Sequence, residues 1–140
     1  MDMNKYPENI RRYLNRKFWI FDLDGTLTQP VHDFPAIRKT LGIPDGHDIL
    51  GYVSRQDEIK AKQLLDTLNN IEIELAGISK PAPGVSELMN ELCKRNVNMG
   101  IITRNTRENA RTALERIGIL SSFSPYYILG RDEAPPKPDP

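Results

Sequence analysis

The chain has 140 residues, a length that fits one domain with a core large enough to fold alone. Lys plus Arg and Asp plus Glu each total 19, so no net field draws the chain to nucleic acid or to an anionic membrane. The single cysteine, Cys93, excludes an intramolecular disulfide framework, and no apolar stretch reaches the length of a membrane span or a signal-peptide core, which predicts a soluble cytoplasmic protein.

Residues 8–16 read as a short polar helix. Its basic neighbours Lys5, Arg11, Arg12, Arg16 and Lys17 are interrupted by Glu8 and preceded by Asp2, which favours a solvated helix over a targeting segment. Residues 17–23 form a near-continuous apolar run, the pattern of a buried parallel strand, with Trp19 and Phe21 as core. Thr28 to Asp33 is a loop containing Pro30. Residues 34–80 read mostly as helix: Phe34 to Leu41 closed by Gly42, a second segment starting at Pro44-Asp45-Gly46 and running to about Val53, and a third capped by Ser54 or Asp57. The third has Ile59, Leu64, Leu65, Leu68 and Ile71 on one helical face. Its later part, Ile71 to Leu75, alternates as a strand would, but the reading retained is helix.

Pro81-Ala82-Pro83-Gly84 breaks the chain. Val85, Leu88, Met89, Leu92 and Cys93 then mark an amphipathic helix that buries Cys93 and ends at Asn96. Val97 to Thr103 is a second core strand. Asn105 and Glu108 resemble a capping pair, Asn105 at the N-cap, for a helix that buries Ala110, Ala113, Leu114 and Ile117 and ends at Gly118. Pro125 to Leu129 is a third strand, and 130–140 is a proline-rich loop. Strand, helical insertion, helix, strand, helix, strand is an α/β pattern whose chemistry belongs beyond the carboxyl ends of the strands.

Three such ends carry reactive side chains. Asp22 and Asp24 project to the same side of an extended chain, with Leu23 pointing into the core. Two carboxylates so close repel unless a cation lies between them, which calls for a hard metal such as Mg²⁺. Gly25 permits a turn, and the amides of Gly25, Thr26 and Leu27 are candidates to face an anion. Thr103 ends the second strand just before a helix N-terminus, where a hydroxyl and free amides suit a phosphate oxygen. With Asn105 as the cap, Thr103 is left free, and Arg104 is a candidate for a substrate's distal anion. His32 is a weaker candidate from the loop after the first strand. Lys137, set between prolines, has little backbone freedom. Asp132 and Glu133 read as solvated.

Asp22-Leu23-Asp24-Gly25-Thr26-Leu27-Thr28 resembles the first motif of the haloacid dehalogenase superfamily of phosphohydrolases. Ile101-Ile102-Thr103 resembles the second and Pro136-Lys137-Pro138-Asp139-Pro140 the third. The resemblance implies a Rossmann-like α/β core over 1–33 and 81–140, interrupted by a helical cap over 34–80. It implies Asp22 as nucleophile, Asp24 as general acid and base, Thr103 and Lys137 on the transferring phosphoryl group, and Gly25, Thr26, Arg104 and Asn105 as substrate contacts. Mg²⁺ would be held by Asp22 and Asp24, and the substrate would be a small phosphorylated metabolite, the phosphoglycolate phosphatase-like enzymes being the nearest group. The superfamily's fourth motif, acidic and following a further strand, has no counterpart before Pro140. That predicts a fragment of a longer chain, lacking the C-terminal strands and exposing an apolar sheet edge suited to self-association. A non-catalytic interaction module and a phosphomutase on the same scaffold are the rival expectations.

Overall fold

A computed structural model describes residues 3–140. Helix α1 (Glu8–Leu14) leads into strand β1 (Phe18–Phe21), which carries four consecutive large apolar side chains. After the insertion come α5 (Val85–Lys94), β2 (Asn98–Ile102), α6 (Arg107–Arg116) and the two-residue strand β3 (Ile128–Leu129). The strands make one parallel sheet in the order β1-β2-β3, with Phe18 opposite Asn98 and Ile101 opposite Ile128.

Alternation along each strand decides what is covered. Trp19, Phe21, Met99, Ile101 and Ile128 face Val85, Met89 and Leu92 of α5 and Ala110, Ala113, Leu114 and Ile117 of α6 in one apolar cluster. Both crossovers step the same way across the sheet, so one handedness puts both helices on one face. The other face is uncovered: Phe18 is 70% exposed, Ile20 69% and Tyr127 52%. The sequence reading of a first strand buried on both faces is therefore corrected, because among the described residues no helix lies on that side.

The insertion holds α2 (Phe34–Leu41), α3 (Ile49–Ser54) and the long α4 (Glu58–Gly77). Asp33, Asp48 and Asp57 cap them, each accepting a hydrogen bond from an amide three residues on. Ile37, Leu41, Ile43, Ile49 and Leu68 form a second apolar cluster, separate from that of the sheet. The insertion's two connections meet: Gln29 N–H donates to Lys80 O at 2.9 Å and Ala82 N–H to Leu27 O at 2.9 Å.

Other expectations need revising. Pro44 to Gly46 is a turn, with Gly46 at φ 78°, and helix begins only at Ile49. Pro125 to Tyr127 form a 3₁₀ turn, because proline fixes the first φ and offers no ladder donor; strand is left to Ile128 and Leu129. Cys93 is exposed, its sulfur 3.7 Å from Ser122 Oγ. The cap of α6 is Thr106, whose Oγ1 accepts from Asn109 N–H at 3.2 Å, because the Asn105 side chain is turned elsewhere. Among the described residues, no helix is long and apolar enough to cross a membrane.

Candidate active site

Beyond β1 the chain folds back on itself. The amides of Thr26, Leu27 and Thr28 all donate to Leu23 O, and Gly25 N–H donates to Thr28 Oγ1 at 3.3 Å. Gly25 sits at φ 77°, a left-handed value that an L side chain resists. The amides of Gly25, Thr26 and Leu27, read as an anion cradle, are thus engaged inside this turn. The turn throws Asp22 and Asp24 to one side and buries Leu23 completely.

They open into a cleft of about 310 Å³ between the sheet's carboxyl edge and the insertion. Thr103, Arg104, Asn105, Lys137 and His32 also line it; Gly25 and Thr26 do not. Lys137 Nζ donates to Asp22 Oδ1 at 2.9 Å, joining positions 115 residues apart, and Leu23 N–H donates to the same oxygen at 2.9 Å. Thr103 is buried, and its Oγ1 accepts Asn105 N–H at 3.1 Å. Its own hydroxyl proton remains available to donate. Asn105 Oδ1 accepts from Thr106 N–H at 2.8 Å and from Asn109 Nδ2 at 3.0 Å. Those two donors fix which end of the amide is nitrogen, and Nδ2 points at Asp24 Oδ2 at 3.5 Å, the outer limit of a hydrogen bond.

Burial pushes the Asp24 carboxyl above its ordinary range, and the neighbouring Asp22 charge adds to this; His32, Asn105 and Lys137 pull it back. A carboxyl so placed holds its proton more tightly than a free one. Asp22 and Asp24 are hard oxygen donors of the kind Mg²⁺ takes, and that ion commonly keeps several waters and uses only one or two protein carboxylates. Their donor chemistry fits it. Among the described residues, no group of three or more His, Cys, Asp or Glu comes together to hold a metal.

The opposite wall comes from the insertion and was not legible as a site. Phe34, Ile37, Ile49, Leu50 and Leu68 give it an apolar lining. Asp48 of the α3 cap holds Arg104 Nη2 at 2.6 and 2.7 Å; burial tends to raise its carboxyl, but Arg104, Gly51 N–H and Arg38 hold it below its ordinary value. Glu72 of α4 meets Arg131 Nη1 at 2.7 Å, both side chains being about nine-tenths buried. Burial pushes the Glu72 carboxyl up despite that partner. In the run Ile71 to Leu75 the structure buries Glu72 and exposes Ile73 and Glu74, which no sequence pattern signals.

Gly130 follows β3 and lies against the turn into α6; a Cβ there would fall 2.5 Å from Arg107 N and 2.7 Å from Asn105 O. The next residue, Arg131, is held to the same turn by its N–H, which donates to Asn105 O at 3.0 Å. Glu133, read as solvated, accepts Gly130 N–H at 2.8 Å and faces Arg107 at 3.7 Å; Asp132 is exposed.

A family model described as haloacid dehalogenase-like hydrolase matches residues 33–140, a span that begins after Asp22 and Asp24. An uncharacterized hydrolase of Saccharomyces cerevisiae is 34% identical over 125 residues, a match covering 86% of this chain and 57% of that protein. A phosphoglycolate phosphatase of Synechococcus elongatus is 29% identical over 127 residues, covering 75% of this chain and 57% of that one. The chain therefore spans little more than half the length of these relatives. A crystal structure of a predicted phosphoglycolate phosphatase from Haemophilus somnus superposes with a TM-score of 0.58 at 20% identity, covering 85% of this chain and 64% of the other. At that identity the likeness speaks for the fold alone: helices on a parallel sheet.

Proposed function

Because the chain belongs to the haloacid dehalogenase-like hydrolase family, we propose that its cleft is the active site of a Mg²⁺-dependent phosphatase acting on a small phosphomonoester. The observation that carries this reading is the contact between Lys137 Nζ and Asp22 Oδ1, which joins the first and third motifs at one oxygen. That contact lies in the same cleft as a second carboxylate, Asp24, and the buried Thr103.

In this reading Asp22 attacks phosphorus in line with the ester oxygen, forming an aspartyl-phosphate as the phosphorus–oxygen bond to the leaving group breaks. Asp24, whose carboxyl burial raises above its ordinary range, gives its proton to the departing oxygen. It then takes a proton from the water that attacks the aspartyl-phosphate, releasing phosphate and restoring Asp22. Lys137 and the Thr103 hydroxyl meet the charge on the transferring oxygens. The Asp22 carboxylate and the Asp24 backbone carbonyl would hold Mg²⁺, which when bound offsets phosphoryl charge. Arg104 and the apolar wall of the insertion, acting as a cap, meet the leaving group, and a cleft of this size suits a small metabolite.

The test is hydrolysis of p-nitrophenyl phosphate by the chain with and without Mg²⁺, beside Asp22→Asn. Turnover that needs Mg²⁺ and vanishes in the variant is the expected result. Substantial Mg²⁺-dependent activity remaining in Asp22→Asn would remove Asp22 from its role. A second reading, an interaction module that associates with itself, is favoured by one feature, the uncovered apolar face around Phe18 and Ile20. Sedimentation showing concentration-dependent association without turnover would support it over catalysis.

A further inference from the structure

Two side chains one turn apart on α4, Asn69 and Glu72, reach Asn109 of α6 and Arg131 after β3, and each of those partners in turn holds the loop that follows β2. Asn109 Nδ2 donates to Asn69 Oδ1 at 3.1 Å and to Asn105 Oδ1 at 3.0 Å, so both amide protons of a buried Asn109 are used. Glu72 holds Arg131, whose Nη1 also lies 3.4 Å from Arg104 O and whose N–H donates to Asn105 O at 3.0 Å. The loop is thereby held on two sides, and both holds end on the insertion. Asn105 is where they converge, and its Nδ2 faces Asp24.

We propose that Asn69 and Glu72 are positioning residues for the acid/base carboxylate: through Asn109 and Arg131 they keep the Asn105 amide turned toward Asp24, and they do so only while α4 lies against α6. This rests on the acid/base role given to Asp24 above. The physical basis is the amide's near symmetry. Asn105 has two similar ends, and without a donor on Oδ1 its flipped form would set a carbonyl oxygen against the Asp24 carboxylate. Thr106 N–H and Asn109 Nδ2 both supply that donor, and Asn69 fixes the orientation of Asn109, the one of the two that the insertion controls. A cap that lifts away removes Asn69 and Glu72 together, so proton transfer is tied to closure over bound substrate.

The deciding experiment uses the full chain and one cap position, Asn69, which is half-buried. Asn69→Leu keeps the volume and removes the acceptor; Asn69→Asp keeps an acceptor; Asp66→Ala, an exposed change on the same helix, is the control. The first readout is the NMR signal of the Asn105 side-chain amide, which needs no turnover. Asn69→Leu should shift it and speed its hydrogen exchange, while Asn69→Asp and Asp66→Ala leave it near wild type. The second readout is kcat for two probes. An alkyl ester such as glycerol phosphate needs leaving-group protonation more than p-nitrophenyl phosphate does. Asn69→Leu should therefore lower kcat about tenfold for the alkyl ester and much less for the aryl ester, with KM held. An unchanged Asn105 amide in folded Asn69→Leu overturns the relay, as does an equal loss on both esters. If the wild type turns over neither ester, the phosphatase reading fails while the NMR arm still decides whether α4 orients Asn105.

Discussion

The two walls of the cleft are built on different terms. The sheet wall supplies Asp22, Asp24, Thr103 and Lys137 from strand ends and from the loop after the last strand, each inside a short motif of consecutive residues. The insertion wall supplies Asp48, Asn69 and Glu72 from helices, each significant only through a partner far along the chain: Arg104, Asn109 and Arg131. Strand ends place reactive groups by backbone geometry alone. Helical positions place them by what the opposite element offers. The contrast teaches that the chemistry on one wall is local in sequence, while the fit between the walls is not.

The sharpest way to break this contrast is to remove one group from each wall and compare catalysis with stability. Asp22→Asn should abolish turnover, by about 10³-fold or more, while leaving the melting temperature near wild type. Lys137→Met should cost on the order of 10²–10³-fold in kcat, because the phosphoryl charge loses its cation. On the insertion wall the loss should appear in stability first. Arg131→Met leaves Glu72 buried without its counter-charge and should cost about 3 kcal/mol in urea unfolding, while the neutral isostere Glu72→Gln should cost much less.

The same variant carries a pH signature. Glu72 binds its proton more tightly folded than unfolded, since burial raises its carboxyl above the ordinary 4.5. From 4.5 upward to the raised value the unfolded state has released a proton that the folded state keeps, so this group's contribution makes stability fall as pH rises through that window. Glu72→Gln should flatten that slope, checked by urea unfolding at a series of pH values. The smallest effect belongs to Asp48→Ala. Its partner Arg104 and Asp48 itself are both substantially exposed, so solvent screens the pair, and the variant should lose about 1 kcal/mol, mostly as the cap of α3. A loss for Asp48→Ala as large as that for Arg131→Met would erase the distinction between an exposed and a buried bridge between the walls.

How far the sequence reached follows the same division. The α/β order, the helical insertion and the meeting of Asp22, Asp24, Thr103 and Lys137 at one edge were all legible, because period, punctuation and motif spacing are properties of neighbouring residues. The cap of α6 was misread because Asn105 and Thr106 are both good caps locally; the choice is made by Asp24 and Asn109, which draw the Asn105 side chain away. The anion cradle was misread because Gly25 and Thr26 amides can serve an anion or a turn equally, and Thr28 and Leu23 decide for the turn. Glu72 was passed over because a lone acidic residue in a helix is ordinarily solvated, and only the fold reveals Arg131 opposite it.

The place where the insertion joins the core has its own consequence. Gln29 and Lys80 are hydrogen-bonded across 2.9 Å, and Ala82 and Leu27 likewise, so the 50 intervening residues leave and return through a single closed neck. The sheet registers the neck and not the length of what hangs from it, since closing a longer loop adds only slowly to its entropic cost. Such a joint makes the lid an exchangeable part: a lineage can shorten or enlarge it, and so change which molecules are admitted, without breaking the sheet, provided the contacts of Asn69 and Glu72 are kept.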